Sequence, residues 1–161
     1  MRDSLSDQVP YCASQSVGAR PEQEDSYGIC YENLSRHTGY PQCFVLADGM
    51  GGHVGGSVAS QTAVDAVKLS LSEFEIIDEI ALKDSLSVAN QSIAQCLEVH
   101  PDLEGMGTTL VVASIREDSL IWMSVGDSPL FGVDSNFEVV RLNEDHSMRP
   151  ILDSLVASGS L

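Results

Sequence analysis

The segment Ala47–Ser60, ADGMGGHVGGSVAS, has residue types and spacing that suit a ligand-binding turn. A short apolar run ends at Asp48, and five glycines follow within eight residues. Glycine lets the backbone turn sharply and approach a ligand closely, with carbonyl or amide groups directed at it. A strand-to-helix connection capped by an aspartate is the simpler interpretation. Five glycines cost more conformational entropy than such a connection needs, so the pattern favours a site.

This glycine-rich segment matches neither common nucleotide-binding loop. No Gly-Lys-Ser/Thr follows it, which excludes a Walker loop, and the residues after Gly52 break the dinucleotide-binding spacing. The chain also lacks a Gly-x-Ser-x-Gly motif and has no cysteine in a recognisable phosphate-binding loop. Covalent catalysis by a serine or cysteine nucleophile therefore has no support.

Two further acidic turns offer oxygen ligands. Glu24 and Asp25 lie beside Arg20 between two predicted strands, and Asp127 follows the run LIWMSV. Carboxylates suit hard divalent cations, and an arginine can bind a phosphate through two hydrogen bonds. Each turn alone is more typical of a solvated loop. Three aspartate-bearing strand ends that converge at one end of a sheet would form a cation site.

Two histidines lie near these acidic segments. A histidine beside a site can act as a general acid, but a lone histidine more often makes a structural hydrogen bond. The structural role is favoured for His146, within NEDHS. Both roles stay open for His53, which lies within the glycine-rich segment.

Composition excludes several classes of protein. The 161 residues include 24 acidic and 8 basic side chains, a formal charge of −16, and 43% are apolar, too many for a disordered acidic tail. No basic patch could outweigh that charge, which argues against nucleic acid or an anionic membrane as the partner. The apolar runs are too short to span a bilayer, and the N-terminus MRDSLSDQVP lacks the apolar core of a signal peptide.

The four cysteines, Cys12, Cys30, Cys43 and Cys96, show no zinc-binding spacing. We interpret them as buried thiols in a reducing compartment. A cytoplasmic location is therefore expected.

Secondary-structure elements must position these acidic residues. In chain order the sequence predicts strands, then two long helices, then strands again. We predict strands over Gln8–Val17, Ser26–Tyr31, Cys43–Ala47, Thr108–Ile115, Leu120–Val125, Leu130–Val133 and Phe137–Leu142, and helices over Val58–Leu71, Ile76–Val99 and Ser147–Ser158. This order indicates an α+β layered fold rather than a βαβ repeat. The last four strands are expected to form an antiparallel meander.

Local patterns add three expectations. The wholly apolar run Cys43–Ala47 predicts a central strand that is buried on both faces and stops at the following aspartate. Ser72 and Glu75 predict a capping box for the second helix. Asn33–Pro41 and His100–Gly107 are predicted loops.

Taken in order, these segments resemble the metal-dependent protein serine/threonine phosphatases, the type 2C or PPM family, in their bacterial form. The matching stretches, which run from about Gln15 to the last residue, are GARPEQEDSYGI, VLADGMGGHVGG, GMGTTLV, VGDSPLF, LNEDHS and LVASGSL. DGMGGH followed by GMGTTL is the most specific part. The resemblance implies an α+β fold in which two antiparallel β-sheets are sandwiched between helices.

The resemblance also implies a site for two Mn²⁺ or Mg²⁺ ions. Asp48 would bridge both metals, and Gly49 would bind one through its backbone carbonyl. Glu24 and Asp25 would hold metal-bound waters, and Asp127 matches the family's ligand for a weaker third metal. Two such cations can activate a water that attacks phosphorus directly, without a phosphoenzyme.

The implied substrates are phosphoserine and phosphothreonine on proteins, in opposition to a serine/threonine kinase. Arg20 would bind the substrate phosphate. Three departures from the family pattern are mild: Gln23 replaces the usual Asn, Met50 stands where eukaryotic members have a His, and Pro129 follows Gly-Asp-Ser.

The largest departure lies at the C-terminal end of the resemblance. The family domain continues past Ala-Ser-Gly and carries two more metal aspartates, for which Asp145 and Asp153 lie too early. We therefore expect residues 1–161 to be a single phosphatase domain that lacks its C-terminal part and is weak or inactive alone. Exposed sheet edges would then favour self-association. A catalytically inactive regulatory or binding module, and a generic acidic cation buffer, remain as alternatives.

Overall fold

A computed structural model describes residues 11–30, 43–51, 55–115 and 119–158. In chain order its elements are β1 Asp25–Cys30, β2 Cys43–Met50, α1 Gly55–Leu71, α2 Glu79–Val99, a 3₁₀ turn Pro101–Leu103, β3 Gly107–Thr108, β4 Leu110–Ile115, β5 Leu120–Val125, β6 Phe131–Val133, β7 Val139–Arg141 and α3 Arg149–Ala157. The predicted loop Asn33–Pro41 lies outside the described residues. The helices and antiparallel strands confirm the α+β class.

The larger sheet is antiparallel throughout, in the order β1-β2-β4-β5, and β3 pairs with the end of β2. Helices α1 and α2 cover one face of this sheet and pack against each other. Small residues on α1, such as Ala59 and Ala63, are buried there and let the helix lie close to the strands. Val45 of β2, Val112 of β4 and Val67 of α1 belong to the resulting core.

The expectation that Cys43–Ala47 is buried on both faces is wrong. Residues of β2 alternate between buried and more exposed positions, and Leu46 is 47% exposed. The helices cover one face only, and the described residues provide no complete second layer over the other face. The strand also continues past Asp48 to Met50, because Gly49 and Met50 pair with β3.

The second helix begins three residues later than predicted, and its cap is a different residue. The Asp78 carboxylate accepts hydrogen bonds from the backbone N–H groups of Ile80 (3.0 Å) and Ala81 (2.9 Å). The predicted capping box is therefore wrong, since Ser72 donates its hydroxyl to the Leu69 carbonyl at the end of α1 (2.7 Å). An aspartate immediately before a helix can accept hydrogen bonds from the backbone amides of the first turn, which have no partner within the helix.

The predicted strand Gln8–Val17 is not formed over its described part, residues 11–17, which pair with no strand in the described ranges. The Tyr11 ring instead contacts the Phe44 ring edge-on, with centroids 5.7 Å apart. Cys12 in this segment is exposed, contrary to prediction, whereas Cys30 and Cys43 are buried and Cys96 is half-buried.

The predicted meander is divided between two sheets. β4 and β5 belong to the larger sheet, and β6 and β7 form a separate two-stranded sheet. The predicted strand Thr108–Ile115 is interrupted at Thr109, where backbone and side chain both bond to Asp48 instead of continuing a regular ladder. No helix in the described ranges has the length and apolarity required to cross a bilayer.

The Asp78 cap yields a direct test. Asp78→Ala removes the acceptor for two amides, so we expect the free energy of unfolding to fall by about 1 kcal/mol in urea denaturation. Glu75→Ala is the matched control, because Glu75 is an exposed acid that does not cap α2. A larger loss for Glu75→Ala than for Asp78→Ala would contradict the assignment.

Candidate functional site

Asp25 and Asp48 are direct neighbours across the β1–β2 ladder. Both lie on the sheet face opposite the helices, where directly opposed side chains have Cβ atoms about 5 Å apart. The fold therefore brings together two of the predicted site residues by strand register alone.

The pKa of Asp48 lies above its usual range. Partial burial is the largest cause, followed by the negative charge of Asp25 and the hydrogen bond to it. The charge of Asp127 raises the pKa further, and the positive charge of Arg20 opposes the rise. Like charges are thus concentrated at Asp48, and a cation placed there would relieve their repulsion.

Asp127 is brought to this point by the turn after β5. Gly126 adopts a positive φ of 95° and packs so tightly that a Cβ atom would lie 2.8 Å from Thr109 Cγ2. Arg141 donates to the backbone carbonyl of Asp127 (3.1 Å), which ties the turn to strand β7. Asp48 and Asp127 line the same open cleft, of about 440 Å³.

Two threonines hold the backbone of Asp48. The Thr109 amide and the Thr108 hydroxyl both donate to the Asp48 carbonyl (2.9 and 3.0 Å), and the Asp48 amide donates to Thr109 Oγ1 (3.0 Å). Thr109 Oγ1 also hydrogen-bonds to the hydroxyl of Ser128, next to Asp127. Sequence reasoning assigned these residues no role, although the adjacent threonines in GMGTTL were the available signal.

Gly49 lies where β2 meets the start of α1. A Cβ atom at Gly49 would lie 1.9 Å from the carbonyl oxygen of Gly56, so this position has no room for a side chain. The Gly49 amide donates to the Glu24 carbonyl (3.1 Å), and Ser60 of α1 donates to the same oxygen (2.6 Å). The glycines thus permit close packing of the helix end on the strand that carries Asp48.

Arg20 and Glu24 form an ion pair beside the two aspartates. The Arg20 side chain is largely exposed, whereas that of Glu24 is mostly buried. Gln23 donates to Asp25 Oδ2 (3.1 Å), so the predicted departure from Asn keeps an amide at that carboxylate. All six predicted site residues, Arg20, Glu24, Asp25, Asp48, Gly49 and Asp127, therefore lie in the same region of the sheet.

The structure describes only one of the two candidate histidines. His53 lies outside the described residues. His146 lines the cleft, and its backbone amide donates to the Gly126 carbonyl (3.2 Å).

The oxygen atoms at this site are of the kind that a hard divalent cation binds, but the described residues do not supply a complete set of ligands. Carboxylate oxygens, with backbone carbonyls close by, are the ligands that Mg²⁺ and Mn²⁺ prefer. In the part of the chain that the structure describes, no three Asp, Glu, His or Cys side chains are arranged to hold one ion.

The chain is similar to known protein phosphatases in sequence. Residues 22–150 match the family model of protein phosphatase 2C. The chain is 34% identical over 134 residues to the serine/threonine phosphatase stp of Listeria welshimeri, covering 80% of this chain and 51% of that protein. It is 32% identical over 149 residues to the protein phosphatase PhpP of Streptococcus pneumoniae, covering 90% and 57%.

Solved structures show the same fold. The Mycobacterium tuberculosis serine/threonine phosphatase PstP/Ppp superposes with a TM-score of 0.69 at 31% identity, covering 88% of this chain and 55% of that one. The catalytic domain of PstP in complex with two manganese ions gives the same TM-score and identity, covering 88% and 56%. The chain spans about half the length of the curated relatives it matches. It belongs to the protein phosphatase 2C family.

Proposed function

We propose that the protein carrying this chain hydrolyses phosphoserine and phosphothreonine on other proteins, with Mn²⁺ or Mg²⁺ at the strand ends. The observation that carries the proposal is the pairing of Asp25 with Asp48 in register, with Asp127 and Arg20 close enough to change the pKa of Asp48. A serine/threonine kinase would supply the substrates. We place the activity in the cytoplasm, where stable structural disulfides are rare.

The proposed roles are those that the family resemblance implies for these residues. Asp48 would hold two ions through its carboxylate, and Gly49 would offer its carbonyl to one of them. Glu24 and Asp25 would orient bound waters, and Asp127 would hold a third, weaker ion. When bound, such ions lower the pKa of water and neutralise phosphoryl oxygens.

Arg20 would orient the substrate phosphate. Its guanidinium can donate two parallel hydrogen bonds to phosphate oxygens, and its largely exposed side chain is reachable by a protein-borne phosphate. The ion pair with Glu24 keeps the guanidinium beside Asp25 and Asp48. Substrate phosphate and cation would thus be held by neighbouring groups at one end of the sheet.

We further propose that residues 1–161 act as a single phosphatase domain with weak activity by themselves. The incomplete ligand set within the described residues supports this, as does the half-length match to the relatives. The alternative is an inactive phosphatase-like binding module. A weak phosphatase would hydrolyse phosphate esters in a way that depends on Asp48, whereas a binding module would not hydrolyse them.

Hydrolysis of a phosphothreonine peptide in Mn²⁺ tests the function. We expect slow turnover that EDTA abolishes and that Asp48→Asn lowers by roughly 100-fold or more, because loss of groups that merely support a ligand already costs about 10- to 100-fold. Asp153→Asn, an exposed acid on α3, is the control and should leave the rate unchanged. Absence of Mn²⁺-dependent hydrolysis would favour the binding module, and turnover as fast as that of the relatives would refute the weak-activity proposal.

Phosphate binding tests the role of Arg20. Calorimetric titration of inorganic phosphate in the presence of Mn²⁺ should show a loss of roughly 10-fold or more in affinity for Arg20→Ala, since a charge-assisted pair of hydrogen bonds is removed. Arg149→Ala is the matched control, because Arg149 forms an exposed ion pair of the same i,i+4 spacing with Asp153. Equal affinity in both variants would fit a generic acidic cation buffer instead.

We also propose that the chain self-associates through its larger sheet. β1 and β5 are the outer strands, and β5 carries no charged residue. On the face away from the helices, Tyr27 and Trp122 are 47% and 41% exposed. Unprotected edges and apolar faces of this kind favour pairing with a second copy.

Light scattering at increasing protein concentration tests this proposal. We expect species larger than a monomer, and a smaller mass for Trp122→Lys because a charge on the outer face opposes pairing. Val99→Lys, at the exposed end of α2, should keep the larger mass. A monomeric wild-type chain at all concentrations would contradict the proposal.

A further inference from the structure

Cys30 and Cys43 are directly opposed across β1 and β2, at the end of the ladder away from Asp25 and Asp48. Both point to the helix-covered face, where they are 7% and 0% exposed. Directly opposed residues in antiparallel strands have Cα atoms about 4.5 to 5.5 Å apart. A disulfide accepts Cα separations of about 4.4 to 6.8 Å, so this register can carry one without moving the strands.

The two thiols already interact. The Cys43 side chain hydrogen-bonds to Cys30 and lowers the pKa of the Cys30 thiol, more than burial raises it. The positive charge of Lys68 lowers this pKa as well. Lys68 can approach because Gly28 has no side chain: a Cβ atom there would lie 2.7 Å from Lys68 Cδ. Cys30 is also the more exposed of the two thiols, at 7% against 0%, so we assign the first nucleophilic attack to its thiolate.

Ser114 extends the same row of side chains. It pairs with Cys43 across β2 and β4, is fully buried, and its hydroxyl has no hydrogen-bond partner in the described part of the chain. A buried hydroxyl without a partner is costly, so its position calls for an explanation. A thiolate formed at Cys43 would have this hydroxyl as an adjacent donor, which would favour the charged form.

We propose that Cys30 and Cys43 form a reversible dithiol–disulfide site that reacts with small disulfides of the glutathione type. The Cys30 thiolate attacks one sulfur of oxidised glutathione, which forms a mixed disulfide and releases one glutathione thiolate. Cys43 then gives its proton to the glutathione thiolate already released and attacks the Cys30 sulfur. The Cys30–Cys43 bond forms and the second glutathione thiolate leaves, so two electrons pass from the protein to the oxidant.

The bond would fix the pairing of β1 with β2. It would link positions 30 and 43 covalently and so restrict the unfolded chain more than the folded one. The register that it covalently fixes is the one that sets Asp25 opposite Asp48. The inference rests on the strand pairing and is independent of the proposed phosphatase activity.

Oxidation of the full chain followed by mass spectrometry tests the site. Trypsin cleaves after Arg36 and Glu-C cleaves after Glu24, so the two proteases together place Cys12, Cys30 and Cys43 in three different peptides. We expect the intact chain to lose two hydrogen atoms, the Cys30 and Cys43 peptides to be linked, and Tm to rise by roughly 5 °C or more, all reversed by dithiothreitol. Bonds formed only through Cys12 or Cys96, no oxidation at all, or a lower Tm with the linked peptides would overturn the proposal.

Two variants separate the steps of the reaction. Cys43→Ala should stop at a glutathione adduct on Cys30, because the resolving thiol is absent. Lys68→Met should slow the reaction several-fold by reducing the thiolate fraction, whereas the control Lys83→Met, on the exposed face of α2, should not. No adduct on Cys30 in the Cys43→Ala variant, or equal rates for the two lysine variants, would contradict the assigned roles.

Discussion

The antiparallel register of β1 on β2 is the constraint on which the candidate site depends. It places Asp25 opposite Asp48, and a slip of one residue would move Asp25 to the face that packs against the helices. The Glu24 carbonyl strengthens this register, because it accepts hydrogen bonds from the Gly49 amide and from Ser60 of α1. Strand, turn and helix are therefore joined at one oxygen atom, one residue before Asp25.

Because of this register, negative charge is concentrated at Asp48, and the side chains that the structure describes neutralise it only in part. Asp25 and Asp127 raise the pKa of Asp48, and Arg20, already paired with Glu24, only partly opposes them. Such crowding would destabilise a purely structural turn, but it suits a position that binds divalent cations. Membership of the protein phosphatase 2C family is consistent with metal binding at this position. The same register sets Cys30 opposite Cys43 at the other end of the ladder.

Much of the candidate site could be predicted from sequence, because its residues lie in short segments rich in glycine and aspartate. In such segments the need for a particular residue type comes from contacts with residues nearby in the chain. Gly49 is an example: its lack of a side chain is required by a contact with Gly56 only a few residues away. Errors arose where the outcome depends on distant partners. Whether Leu46 is buried depends on a second layer over the sheet, and whether residues 11–17 form a strand depends on a neighbour to pair with. Thr109 was missed for the same reason, since its role is a contact with Asp48 across the sheet.

The most direct test of the central claim is the line broadening that Mn²⁺ causes in the amide NMR spectrum of the chain. The account predicts that low Mn²⁺ selectively broadens the signals of Asp25, Asp48, Gly49 and Asp127, and that Asp48→Asn removes this selectivity. Broadening spread over the acidic surface, including the exposed Glu79 and Asp84 of α2, and equal in the wild-type chain and Asp48→Asn, would contradict it.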